Sequence, residues 1–199
     1  MMSDTNSRRR TQAERRSESR QAVLDAALRL FGDKGYAATS LEEIAVECGL
    51  TIRPIYHYFG NKKALFRAVN EVMEQRIIDS MSVGAEGEPE VDIVDNWRAY
   101  LELCDDPAFR RIVLVDSPNI LGRERWSSSA VTRKAKAALE RNSAGERRQQ
   151  YRADLANAVV MGAFTEAALM IARAEDIAMA KREAERLMVK LFGRPGSDV

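Results

Sequence analysis

The chain is poor in the side chains that most often do chemistry. Its 199 residues include one histidine, His57, and two cysteines, Cys48 and Cys104. A single imidazole with no acid or second ligand at useful spacing gives neither a metal site nor a catalytic base with a partner. Two cysteines without CxxC or Cys/His spacing are too few for a disulfide framework, and both read as small apolar residues. A Gly-rich phosphate loop and a GxSxG elbow are also missing, so neither an enzyme nor a cofactor is expected. Charge of one sign is lacking: 31 Lys and Arg face 30 Asp and Glu, a net of +1 that announces neither a nucleic acid nor a membrane. No apolar run approaches the roughly 20 residues a bilayer span needs. The first arginines are not followed by an apolar stretch, so no signal peptide is expected, and a cytoplasmic protein without a membrane partner is expected. Finally, no stretch alternates with period two for long enough to make a sheet, so the fold class is all-α.

What is present is unevenly distributed. Residues 1–70 carry 12 Lys/Arg against 8 Asp/Glu, a net of +4, and residues 71–199 carry 19 against 22, a net of −3. Residues 1–16, MMSDTNSRRRTQAERR, lack apolar periodicity and are expected to form a flexible basic arm. Val23, Ala27, Leu30 and Phe31 then trace a helix that is expected to stop at Gly32 and Gly35. Ser40 with Glu43 forms a capping box ahead of the stripe Leu41, Ile44, Ala45 and Cys48, and that helix ends at Gly49. Thr51 can cap a third helix, in which Ile52, Ile55, Tyr56 and Phe59 repeat the apolar spacing. Pro54 falls in its first turn, where a missing N–H is tolerated. Two short helices about a glycine turn make a helix-turn-helix, whose second helix projects its outer face. With Ile52, Ile55 and Phe59 inward, Arg53, His57 and the hydroxyl edges of Tyr56 and Tyr58 are left for solvent or a ligand.

A fourth helix, capped by Asn61, is predicted near 62–81. VGAEGEPE at 83–90 is a loop, and further helices are predicted near 91–104, 107–115, 127–142, 147–173 and 176–192. Residues 116–126 read as an irregular connector. From Leu155 to Ala172 the sequence is apolar nearly all round and rich in Ala and Gly, so that helix must be covered on more than one side. Either it packs with the last helix inside one chain, or the pair meets its own copy across a two-fold axis.

The segment Thr39 to Phe66 resembles the DNA-binding signature of the tetracycline-repressor (TetR) family of bacterial transcription regulators. The matching elements are ATS before the second helix, IA within it, GLT at the turn, IYHYF in the third helix and NKKALF opening the fourth. The resemblance covers roughly residues 18–67 and includes AALRLFGDKGY at 26–36. It implies an N-terminal three-helix DNA-binding domain at 17–67 and a larger C-terminal helical domain at 68–199 for effector binding and dimerisation. It further implies a homodimer on palindromic double-stranded operator DNA, released by a small-molecule effector expected to be largely apolar. The rival reading is a helical protein-interaction module without sequence-specific DNA binding.

The expected DNA-facing set is Thr39, Ser40, Thr51, Ile52, Arg53, Pro54, Tyr56, His57, Tyr58 and Lys62. The helix starts and hydroxyls suit phosphate, and Lys62 matches a phosphate-binding lysine of the family. Arg53 and Pro54 depart from the small residues and Thr, Ala or Ser that the family often has there. Arg53 can fork onto a guanine or hold a phosphate, and Arg8, Arg9, Arg10, Arg15 and Arg16 can follow the backbone or remain a solvated tail. For an effector pocket the candidates are Trp97, Tyr100, Phe109, Asp116, Asn119, Trp126, Met161 and Phe164, residues that a solid core or a turn would use equally well. The resemblance favours a dimer interface built from Leu155, Val159, Gly162, Ala163, Ala184, Leu187, Met188 and Leu191.

Overall fold

The computed structural model describes residues 11–81, 93–122, 129–141 and 147–193. The chain divides into two compact units, Met1–Val69 and Asn70–Val199. The first contains α1 (Gln12–Ala38), α2 (Leu41–Glu47), α3 (Ile52–Phe59) and the start of α4 (Lys62–Ser80). The second takes the rest of α4, α5 (Ile93–Leu103), α6 (Pro107–Phe109), a π-helical segment (Arg110–Asp116), α7 (Ser117–Ile120), α8 (Ala130–Arg141), α9 (Arg147–Arg173) and α10 (Ile177–Phe192). Among the described residues every regular element is helical.

Helix α1 starts at Gln12, so residues expected to form an unstructured arm to position 16 belong to it. The cause is a capping box: Thr11 Oγ1 accepts from the Glu14 N–H at 3.2 Å, and Glu14 Oε2 accepts from the Thr11 N–H at 2.6 Å. Nor does the helix stop at Gly32. It breaks at Gly35, which has φ 82° and ψ 167°. The buried Thr39 hydroxyl lies within hydrogen-bond distance of two carbonyl oxygens near this break, Leu30 at 3.1 Å and Gly35 at 2.8 Å. Phe31, Tyr36 and Phe66 pack edge and face with centroids 5.0–5.8 Å apart, over a core that includes Val23, Ala27, Ile44, Ile55 and Leu65.

The turn after α2 is a Schellman motif. Leu50 donates to the Ala45 carbonyl and Gly49 to that of Val46, with Gly49 at φ 69°. This fixes the direction in which α3 leaves. Ile55 is buried and anchors α3, Gly60 ends it at φ 81°, and Asn61 Oδ1 accepts from Ala64 N–H at 2.8 Å to start α4.

In the second unit Trp97, Tyr100, Phe109 and Phe164 form a buried aromatic cluster, with Trp97 and Phe164 centroids 4.8 Å apart. Arg98 to Glu185, at 2.9 Å, ties α5 to α10. Burial pushes the Cys104 thiol up to about 12, so it is an inert core residue. The connector expected at 116–126 is helical from Ser117 to Ile120, because the π register of the preceding segment carries the helix up to Pro118, which sits in a first turn. Residues 123–128 lie outside the described residues. The expectation that no apolar run approaches a membrane span is also corrected: Asp154–Arg173 has the length and apolarity for one, at mean hydropathy 1.7. Two short apolar runs joined by Ala and Gly make one long apolar helix.

Candidate nucleic-acid interface and effector cavity

Residues of the helix-turn-helix differ in what their polar atoms already do. Two cations of α1 are paired with carboxylates of α2: Arg29 with Glu47 at 3.1 Å and Lys34 with Glu43 at 3.0 Å. The Ser40 backbone N–H, then Lys34 and the Ser40 hydroxyl, hold the Glu43 carboxyl down at about 2. On α3, by contrast, Arg53, Tyr56 and His57 face outward, with Tyr56 51% exposed. Among the described residues the Arg53 guanidinium and Tyr56 hydroxyl make no hydrogen bond. Thr51 occupies the N-cap position with extended backbone, yet its side chain makes no cap bond, so its hydroxyl is unengaged as well. Ile52, Pro54 and Tyr58 are half-buried at the edges of this face.

Three assignments change. Thr39 lines a groove with Lys62 but cannot offer its hydroxyl to a phosphate, because that hydroxyl is buried and faces the Leu30 and Gly35 carbonyls. The Ser40 hydroxyl both accepts from the Glu43 N–H and donates to its carboxylate, so capping is its first role. Arg16, grouped with the flexible arm, lies with its Nη2 3.0 Å from His57 Nε2. Arg20, one turn on, stacks its guanidinium 5.1 Å from the Phe59 ring centre. Nothing in the local sequence signals the Arg16 contact, which joins residues 41 positions apart.

Lys62 is half-buried, its ammonium 4.3 Å from the Tyr36 ring centre. An open groove of about 440 Å³ brings it together with Ser40, Tyr56 and Asn61 at the start of α2. Lys62 and the Tyr56 hydroxyl are among the donors that can meet an anion there, although Glu42 also lines the groove.

The second unit holds a cavity of about 40 Å³ among α4, α5, α8 and α9. Tyr100, Met161 and Phe164 line it as expected, together with Asn96, Ile77, Ser80, Met81, Val131, Thr132 and Thr165. The α4 contribution was legible only as an apolar helix face. Trp97 and Phe109 are buried behind these walls and do not line the cavity. Asp116 is not among the lining residues. Asn119 is exposed, its amide donates to the Val115 carbonyl at 2.8 Å, and it does not line this cavity. Trp126 lies outside the described residues. Desolvation in this cluster holds the Tyr100 phenol well above its ordinary range, so it is a neutral donor.

Leu155, Val159 and Gly162 follow one exposed stripe of α9, and Leu187 and Leu191 one of α10. Leu155 is 66% and Leu191 60% exposed. Ala163 and Ala184 are half-buried beside them. Met188 is corrected: it is 3% exposed and belongs to the core of its own chain. Met170 and Met179 extend the exposed apolar surface in its place.

These features define a helix-turn-helix unit joined to a larger helical unit. Residues 23–69 match the family described as bacterial regulatory proteins of the tetR family, and residues 92–194 match the tetracyclin repressor-like C-terminal domain. The chain belongs to the tetracycline-repressor family. It is similar to the HTH-type transcriptional regulator TtgR of Pseudomonas putida, 36% identical over 109 residues, 52% of this chain and 51% of that protein. With the regulator AcrR of Shigella flexneri it shares 47% identity over 60 residues, 30% of this chain and 28% of AcrR. The matches thus span about half or less of these relatives' length. The crystal structure of a TetR-family transcriptional regulator from Pectobacterium atrosepticum aligns over 92% of this chain and 95% of that one, at 28% identity and TM-score 0.69.

Proposed function

We propose that this protein is a ligand-responsive transcriptional regulator of the cytoplasm, acting by binding and not by catalysis, and that it represses by occupying a palindromic operator as a homodimer. The observation that carries this reading is the contrast around α3: Arg29 and Lys34 of α1 are engaged in ion pairs, whereas Arg53, Tyr56 and Thr51 present unengaged donors on one outward face. Exposed donors gain most from a polyanion, whose phosphates position the helix while base edges specify it. Lys62 and Tyr56, sharing a groove, would take one phosphate.

Two such helices enter successive major grooves when they sit about 34–36 Å apart. The exposed apolar stripes of α9 and α10 supply the means of pairing, since four helices meeting across a two-fold axis would cover them. Glu166 within the apolar span, and the Lys, Arg and Glu residues of α10, favour a protein partner over lipid. The cavity would hold the effector. At about 40 Å³ it is far below the roughly 300–1,000 Å³ of a drug-sized site. An effector would therefore bind a more open state and shift the population towards it, by no more than its differential affinity for the two. Because α4 lines the cavity and also carries Lys62, it is the covalent route by which that shift reaches the DNA-binding unit.

Selection of bound duplexes from a random DNA pool tests the reading. Enrichment of a palindrome by the dimer, lost in an Arg53→Ala, Tyr56→Ala double variant, is expected. A folded dimer that enriches nothing would leave the helix pair as a protein-interaction module.

A further inference from the structure

We propose that Arg16 and His57 act in DNA recognition as one unit, with Arg16 fixing the imidazole as its Nδ1–H tautomer so that His57 offers the duplex a single neutral donor. This rests on the DNA-binding reading above. Arg16 Nη2 lies 3.0 Å from His57 Nε2. A guanidinium has only N–H donors, carries no acceptor and is not deprotonated in proteins. Nε2 must therefore be the acceptor, and the ring's one proton sits on Nδ1. A free neutral imidazole in water favours the opposite tautomer, so Arg16 sets a state that His57 alone would not prefer.

The supports of this contact are ordered. The Thr11–Glu14 capping box brings Arg16 into α1, and Arg20, at i+4 on the same face, packs on Phe59 of α3. Among the described residues Nδ1 of His57 has no partner. The acceptors it can meet are guanine N7 or O6, adenine N7, thymine O4 or a phosphate oxygen. The remaining N–H groups of Arg16 are left for the backbone, which makes Arg16 a positioning residue for His57 as well as a cation.

The test uses the full chain, whose single histidine makes the ring nitrogens assignable without ambiguity. Nitrogen-15 shifts are expected to show Nδ1 protonated and Nε2 bare in the wild type, reverting towards Nε2–H in Arg16→Ala. Affinity for the palindrome enriched by the wild type is then measured across a double-mutant cycle. Arg16→Ala and His57→Ala are each expected to weaken binding about tenfold, the scale of one lost direct contact. The double variant should be no weaker than Arg16→Ala alone, because without Arg16 the oriented His57 contact is already lost. His57→Asn, whose amide nitrogen overlays Nδ1, should retain most of the affinity. His57→Gln, which overlays Nε2, should behave like His57→Ala.

An Nε2–H tautomer in the wild type would overturn the proposal, as would multiplicative losses in the cycle or rescue by Gln in place of Asn. The DNA-binding reading would survive each of those results. If the wild type enriches no duplex, that reading fails and the proposal fails with it.

Discussion

The two units leave different things uncovered. The helix-turn-helix unit exposes polar donors, which water satisfies while no partner is bound and a phosphate backbone satisfies better. The helical unit exposes apolar area, including Leu155, Val159, Met170, Leu187 and Leu191, which water cannot satisfy at all. The first surface is therefore stable alone and suits a partner that comes and goes. The second favours permanent burial, as expected of a dimer that persists while DNA binding is switched.

Charging the apolar stripe should break that contrast and have the largest effect. Leu155→Glu with Val159→Glu is expected to yield a monomer by sedimentation velocity, with far-ultraviolet circular dichroism unchanged, since both residues are exposed in the chain. Operator affinity should fall on the order of 10²–10⁴-fold, the avidity that linking two half-site binders supplies. A variant that stays dimeric would move the interface to another surface.

Arg53 sharpens the polar side. Its side chain has an open choice between a base and a phosphate, and one substitution separates them. If it forks onto guanine, Arg53→Ala should lose about 1–3 kcal/mol for the palindrome and relax selection at one base position. If it holds a phosphate, binding should weaken evenly across sequences and the salt dependence should drop by about one counterion. Fluorescence anisotropy with matched and single-mismatch duplexes at several salt concentrations distinguishes the two.

Two threonines make a matched pair with smaller effects. The hydroxyl of Thr39 is buried against backbone carbonyls near the Gly35 break, whereas that of Thr51 is exposed and unengaged. Thr39→Val should cost roughly 1–2 kcal/mol of stability through a buried carbonyl left unpaired, with affinity of the folded protein unchanged. Thr51→Val should do the reverse, weakening binding by less than about 1 kcal/mol and leaving urea denaturation unmoved.

Periodicity and caps carried most of the first unit. Ser40 with Glu43, Gly49 and Asn61 each set an element edge through local chemistry, and each edge falls where its residues require. What the sequence concealed was tertiary. Whether Thr39 faces phosphate or a carbonyl depends on where the chain breaks, and Gly35, not Gly32, breaks it. Arg16 was indistinguishable from the arginines before it until α3 was placed beside it. In the second unit the helices were legible but their facing sides were less so. Met188 shares a spacing with Leu187 and Leu191, yet a helix turns about 100° per residue, so it points into the core while they point out.

The smallest effect concerns Glu43, the carboxylate that closes the capping box and pairs with Lys34. Its folded-state value is held down at about 2, first by the Ser40 backbone N–H and then by Lys34 and the Ser40 hydroxyl. A carboxyl held below its unfolded value stabilises the fold while pH stays above that unfolded value, about 4.3. The contribution fades as pH falls from there towards 2. Glu43→Gln keeps a carbonyl to accept from the Ser40 N–H but loses the charge. Its melting temperature should lie slightly below that of the wild type at pH 7, and the two should converge as pH is lowered through that window. A gap that stays undiminished from pH 7 down to pH 2.5 would mean that Glu43 acts through its shape and not its charge, so that the pairing of α1 with α2 would owe nothing to the ion pair with Lys34.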